Sequence, residues 1–191
     1  MLDKTFWAKI YSLQSDADIS RRKIIAESAG AQHVAKQAIF ALQRDNIEEA
    51  KEKLAAAENG LISLDKRFGK DARLRMEGAW KAAVEEFLEA KLFYDFYSGK
   101  KITGIKGFFI DSDEYLGALS DMTGEIVRLM VLWTAKNEID KVKASAKVID
   151  EVIHDLMQNN LTGYLRTKFD QAKKNLQKSE SILYDLAIRK M

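Results

Sequence analysis

The sequence predicts an all-α protein, a single-domain bundle of about seven long helices. Three observations carry that prediction. The chain of 191 residues contains no proline, so no interior position loses its backbone donor or clashes with the preceding turn. Apolar residues recur every three or four positions over long stretches, the period of helices that bury one face. Glycines cluster in one place, Gly99, Gly104 and Gly107, which marks the one long break. At this length the chain can bury a sizeable core as one domain spanning residues 1–191, with little room for a second.

In chain order, residues 1–14 read as a short first helix with Phe6, Ile10 and Leu13 on one side. After Ser15-Asp16 a long helix runs to about Arg44, carrying Ile24, Val34, Ala35, Ala38, Ile39 and Leu42 near the helical period. Its roughly 29 residues span ~43 Å. Asn46 to Phe68 follows, with Glu48 and Glu49 near its start and Lys66-Arg67 near its end, the order that suits the helix dipole. Asp71 to about Tyr97 is next, built on Trp80, Val84, Phe87, Leu88, Leu92 and Phe93. Residues 98–111 are a loop rich in glycine and lysine; no register in it supplies the Gly-x-x-x-x-Gly-Lys-Ser/Thr of a phosphate-binding loop. Asp111 with Glu114 forms the pattern of a capping box, so a helix starts there and continues to about Trp133. Asn137 to Met157 and Leu161 to Lys190 complete the set.

Composition excludes several chemistries. Cysteine is absent, which removes disulfides, thiolate zinc sites and a cysteine nucleophile. The two histidines, His33 and His154, lie far apart without metal-ligand spacing. The formal charge is only +2, so any basic footprint for nucleic acid is local. No run approaches the ~18 apolar residues of a membrane span, and no signal-peptide pattern opens the chain; a cytoplasmic location without membrane contact is expected.

The helix after Asp111 has few polar residues, and they are ordered. Gly117, Asp121, Glu125 and Arg128 follow at spacings of four, four and three, which places them on one stripe. Charges on a mostly buried helix need partners, and Arg128 is one turn from Glu125. The preceding helix offers Glu85, Glu86 and Glu89. Glu86 and Glu89 share a face and can meet Asp121 and Glu125 across a helix pair. Four such carboxylates repel one another by about 4 kcal/mol per adjacent pair at ~4 Å and an effective dielectric of ~20. A hard divalent cation, Mg²⁺ or Mn²⁺, resolves that repulsion with oxygen ligands alone. Two plainer arrangements compete: an internal Glu125–Arg128 ion pair, and a solvated ladder of Lys81, Glu85 and Glu89.

The segment from Asp113 to Met130 resembles the signature helix of the translin family, above all Tyr115-Leu116-Gly117 and Asp121-x-Thr123-Gly124-Glu125-x-x-Arg128. The closing Tyr184-Asp185-Leu186-Ala187-Ile188-Arg189 is similar to the same family's tail, and helix order agrees along nearly the whole chain. The family comprises translin and translin-associated factor X. The resemblance implies the second type, whose carboxylates on two helices bind a divalent metal and cut single-stranded RNA: Glu86 and Glu89 fall in its Glu-x-x-Glu element, Asp121 and Glu125 in the signature helix. It implies Mg²⁺ or Mn²⁺ at Glu86, Glu89 and Asp121, with Glu125 ligating or orienting. It also implies single-stranded RNA, and single-stranded DNA, as partners, contacted by Arg21, Arg22 and Lys36 on the long helix and by Arg128. Lys173, Lys174, Lys178 and Arg189 are alternative basic residues. Ala29-Gly30 departs from the polar stretch expected there. An octameric homo-oligomeric shell is the implied assembly. The alternatives are a non-catalytic shell that binds single strands and a helical scaffold for protein partners.

Overall fold

A computed structural model describes residues 2–188. Seven helices follow in order among these residues: α1 (Lys4–Gln43), α2 (Ile47–Phe68), α3 (Ala72–Arg75), α4 (Gly78–Tyr97), α5 (Ser112–Ala135), α6 (Ile139–Met157) and α7 (Gly163–Ile188). α1, α2 and α4 pack mutually, and so do α5, α6 and α7. The two groups of three meet along α4 and α5, and one continuous core runs through both. Trp80, Phe87 and Phe93 of α4 and Met122, Ile126 and Met130 of α5 are fully buried. A polar group on either facing surface is therefore placed against the other helix.

Two boundaries differ from the sequence prediction, and their effects on the helix count cancel. The separate first helix over residues 1–14 does not exist; it is continuous with α1, a helix of 40 residues. Ser15 and Asp16 favour caps, but neither breaks a helix that has no proline in it and no glycine before Gly30. Asp3 is the cap instead, accepting from the amides of Thr5 (2.9 Å) and Phe6 (3.1 Å). The helix predicted over Asp71 to Tyr97 is divided at Met76 and Glu77, where Glu77 takes an extended conformation. The division turns Arg75 into the interior, where its guanidinium meets both oxygens of the Glu114 carboxylate at 2.9 and 2.7 Å.

That pair also secures the break in the pattern. Residues 98–111 are irregular, as predicted. Arg75 donates to the carbonyl of Phe109 (3.1 Å), and Phe108 packs on Phe87 with ring centres 5.8 Å apart. The capping box of Asp111 and Glu114 is present, so Glu114 both starts α5 and receives Arg75. α1 passes into α2 through Asp45, whose φ of 66° lies in the left-handed region that aspartate tolerates better than most residues. Among the described residues no helix is long and apolar enough to cross a membrane. Arg189, named above with the family tail and as an alternative cation, lies outside the described residues.

Candidate functional site

The α4–α5 seam brings the predicted carboxylates together. Glu86 and Glu89 stand one turn apart on α4, and Asp121 faces them from α5 around a cleft of about 490 Å³ that also includes Glu85, Tyr164 and Lys168. Glu125, one turn beyond Asp121, is not part of the cleft wall but is close enough to raise the carboxyl pKa of Glu89. Glycine at position 117 keeps the helices close: a Cβ there would lie 2.9 Å from Oε2 of Glu85. The Gly117 element of the predicted stripe thus makes room for a carboxylate of the neighbouring helix.

Each carboxylate has a different environment. Asp121 accepts from the Lys168 ammonium, which also contacts Glu85 at 2.6 Å. The Tyr164 hydroxyl donates to Glu85 as well. Glu86 accepts from the Gln32 amide at 3.3 Å and lies 3.5 Å from the Lys36 ammonium. Glu125 accepts from the Gln43 amide. Glu89 has no hydrogen-bonded or ion-paired partner among the described residues. Burial, then the negative charges of Asp121, Glu86 and Glu125, push its carboxyl up to about 9, against the opposing pull of Lys168. Burial likewise raises Asp121, although Lys168 opposes it, and raises Glu125 against Arg128 and Gln43. Burial disfavours the charge on Lys168 itself, but hydrogen bonds to Asp121, Glu85 and Tyr164 outweigh it and hold the ammonium well above the usual lysine range.

The plainer arrangements weighed from the sequence are not the ones formed. Arg128 is exposed and lies over the ring of Phe40, 5.7 Å from its centre, rather than in a close ion pair with Glu125. Lys81, Glu85 and Glu89 do not form a ladder, because Glu85 is held by α7. As placed, however, no group of three acidic or histidine side chains among the described residues closes into a metal-ligating set. Three of the four candidate ligands are turned toward an ammonium or an amide.

The predicted basic residues on α1 do not act as one unit. Arg21 pairs with Glu77 at 2.7 Å, Lys36 leans toward Glu86, and Arg22 is exposed without an ion pair among the described residues. Lys173 is tied to Asp170 at 2.8 Å, while Lys174 and Lys178 are exposed. Sequence reasoning missed Lys168, Tyr164, Gln32 and Gln43. A signal for two of them existed: Tyr164 and Lys168 are four apart, just before Phe169 and Ala172, which seat α7 on the core.

Comparison with known proteins decides the family. The pattern of the Translin family matches residues 8–190. The chain belongs to the Translin family. Relatives include human translin, 24% identical over 180 residues covering 86% of this chain and 75% of the human one. Mouse translin is 26% identical over 156 residues, 74% of this chain and 68% of the mouse protein. Among solved structures, AfC3PO superposes with a TM-score of 0.87 at 17% identity, covering 96% of this chain and 97% of that one. AfC3PO in complex with duplex RNA has a TM-score of 0.85 at 15% identity over the same shares. Apo-NeC3PO has a TM-score of 0.85 at 18% identity, again over 96% and 97%. At these identities the structural matches bear on the fold, the all-helical translin arrangement that the sequence predicted.

Proposed function

We propose that this translin-family chain binds single-stranded RNA and hydrolyses its phosphodiester bonds at a divalent metal held by Glu86, Glu89 and Asp121, as the translin-associated factor X type does. The observation that carries the proposal is Glu89: a carboxylate without an ion-paired partner among the described residues and crowded by Asp121, Glu86 and Glu125. Such a group is costly in a helical seam unless something offsets its charge. All the candidate donors are oxygens, the set that Mg²⁺ and Mn²⁺ favour. The residues fit a hard divalent ion in kind and line one cleft, although as placed they do not converge on a single point. Occupancy requires Asp121 to leave Lys168 and Glu86 to leave Lys36.

The ion, when bound, supplies a positive charge that polarises a phosphate and acidifies water. The chain's own residues do the rest. Glu86 and Glu89 approach from α4 and Asp121 from α5, so the seam sets the spacing of the donors. Gln43 on α1 orients Glu125, whose place just outside the cleft suits a carboxylate that aligns its neighbours. Arg22 and Arg128 are exposed cations available to phosphates of the strand.

Two features bear on assembly and on the rival reading. Phe6, Trp7, Ile10, Tyr11 and Leu13 are exposed on the first turns of α1, an apolar patch suited to cover by other copies in a homo-oligomeric shell, the octamer implied by family resemblance. The Lys168–Asp121 contact favours a second reading, a non-catalytic shell that binds single strands of RNA or DNA and whose carboxylates are neutralised from within. The deciding experiment is cleavage of labelled single-stranded RNA with and without Mg²⁺ or Mn²⁺, comparing the wild-type chain with Asp121→Ala and Glu89→Ala. Metal-dependent cleavage lost in both variants, with an unchanged oligomer by light scattering, is the expected result. Binding without cleavage selects the non-catalytic shell, equal cleavage by the variants sinks the site, and a monomer sinks the assembly.

A further inference from the structure

Lys168 reaches the carboxylate cluster from a third helix. Its ammonium is shared between Asp121, a proposed ligand, and Glu85, which the family motif does not include. All three side chains are mostly shielded from solvent, 21% exposed for Lys168, 15% for Glu85 and 26% for Asp121. Glu85 is anchored independently of Asp121. Tyr164, one turn before Lys168 on α7, donates its hydroxyl to Glu85 and places its ring 5.2 Å from the ammonium. The absence of a side chain at Gly117 leaves the space that the Glu85 carboxylate fills. Glu89, also in the cleft, has no ion-paired partner among the described residues.

We propose that Lys168 is the resident counter-ion of the metal site, which holds Asp121 until a divalent cation displaces it and then stays beside the cation on Glu85 and Tyr164. This rests on the metal-dependent reading above. The geometry supports exchange rather than simple gluing of α7. A lysine with one carboxylate partner would be stranded when that partner turned to a metal, and a buried unpaired ammonium is costly. With two partners it loses one and keeps the other. Glu85 and Tyr164 are thus positioning residues, acting on the metal through Lys168. The consequence is a threshold: the site fills only when the divalent cation outcompetes an ammonium already in place.

The test is Mn²⁺ binding to the intact protein, without RNA, by titration calorimetry and electron paramagnetic resonance. Lys168→Met removes the competing charge and keeps the stem, so Mn²⁺ should bind about tenfold more tightly, given the strength of charge interactions at such distances. Lys168→Arg keeps the charge and should bind as the wild type does. Glu85→Gln removes the second anchor, leaves Lys168 on Asp121, and should weaken Mn²⁺ binding. A purely structural Lys168 predicts instead that Met and Gln variants both lose thermal stability and shift Mn²⁺ affinity in the same direction, or not at all; either result overturns the proposal. If neither the wild-type chain nor any variant binds Mn²⁺, the metal-dependent reading itself fails and takes this one with it. If the wild type and Lys168→Met bind equally, only the counter-ion role fails.

Discussion

Glu89→Gln isolates the charge on which the proposed site depends. The Glu89 carboxyl moves from an ordinary value near 4.5 to about 9 in the folded chain. Its folded pKa is raised, so the folded state binds the proton more tightly than the unfolded state. Its contribution to stability is fully present below about pH 4.5 and is lost as pH rises toward 9. At about 1.4 kcal/mol per pH unit, the loss is about 3 kcal/mol at pH 7 and about 5 kcal/mol at pH 8. Glutamine has a similar shape, carries no charge and cannot titrate. Urea unfolding of both proteins with chelator present, between pH 5 and pH 8, should therefore show the variant gaining on the wild type as pH rises. Asp121 and Glu125 titrate in both proteins, so the difference between the two curves is the informative quantity. Saturating Mg²⁺ should reverse the order at pH 8, because the wild type then offers a ligand that glutamine does not match. A difference that stays constant from pH 5 to pH 8 would refute the account of Glu89.

Two further perturbations test the scaffold around the site. Arg75→Met leaves the Glu114 carboxylate buried without its bidentate partner and frees the Phe109 carbonyl; a loss of ~3–5 kcal/mol is expected in urea unfolding, and a loss below about 1 kcal/mol would mean that the pair does not hold α3 and the loop to α5. Gly117→Ala puts a methyl group 2.9 Å from the Glu85 carboxylate oxygen. The side-chain end must shift and loosen its contact with Lys168, at about 1 kcal/mol, and an unchanged melting temperature would show that Glu85 has room to spare.

Much of the architecture was legible because helices advertise themselves locally. The capping box of Asp111 and Glu114 needs only residues three apart, and it formed as predicted. The predicted junction at Ser15 and Asp16 does not form, because capping preference is a tendency that a continuous helix overrides. The division at Met76 and Glu77 is hidden for the opposite reason: it goes with a contact between Arg75 and Glu114, 39 positions apart.

The sequence alone determined the helical class, the family and the stripe Gly117, Asp121, Glu125 and Arg128, since periodicity and a local motif are properties of neighbours along the chain. Only the tertiary structure decided what those carboxylates face. It set Lys168 and Tyr164 of α7 against Asp121 and Glu85, gave Glu86 to Lys36 and Gln32, and left Glu89 without a partner among the described residues. Charge compensation acts through space over a few ångströms, between helices whose order along the chain says nothing about which turn meets which.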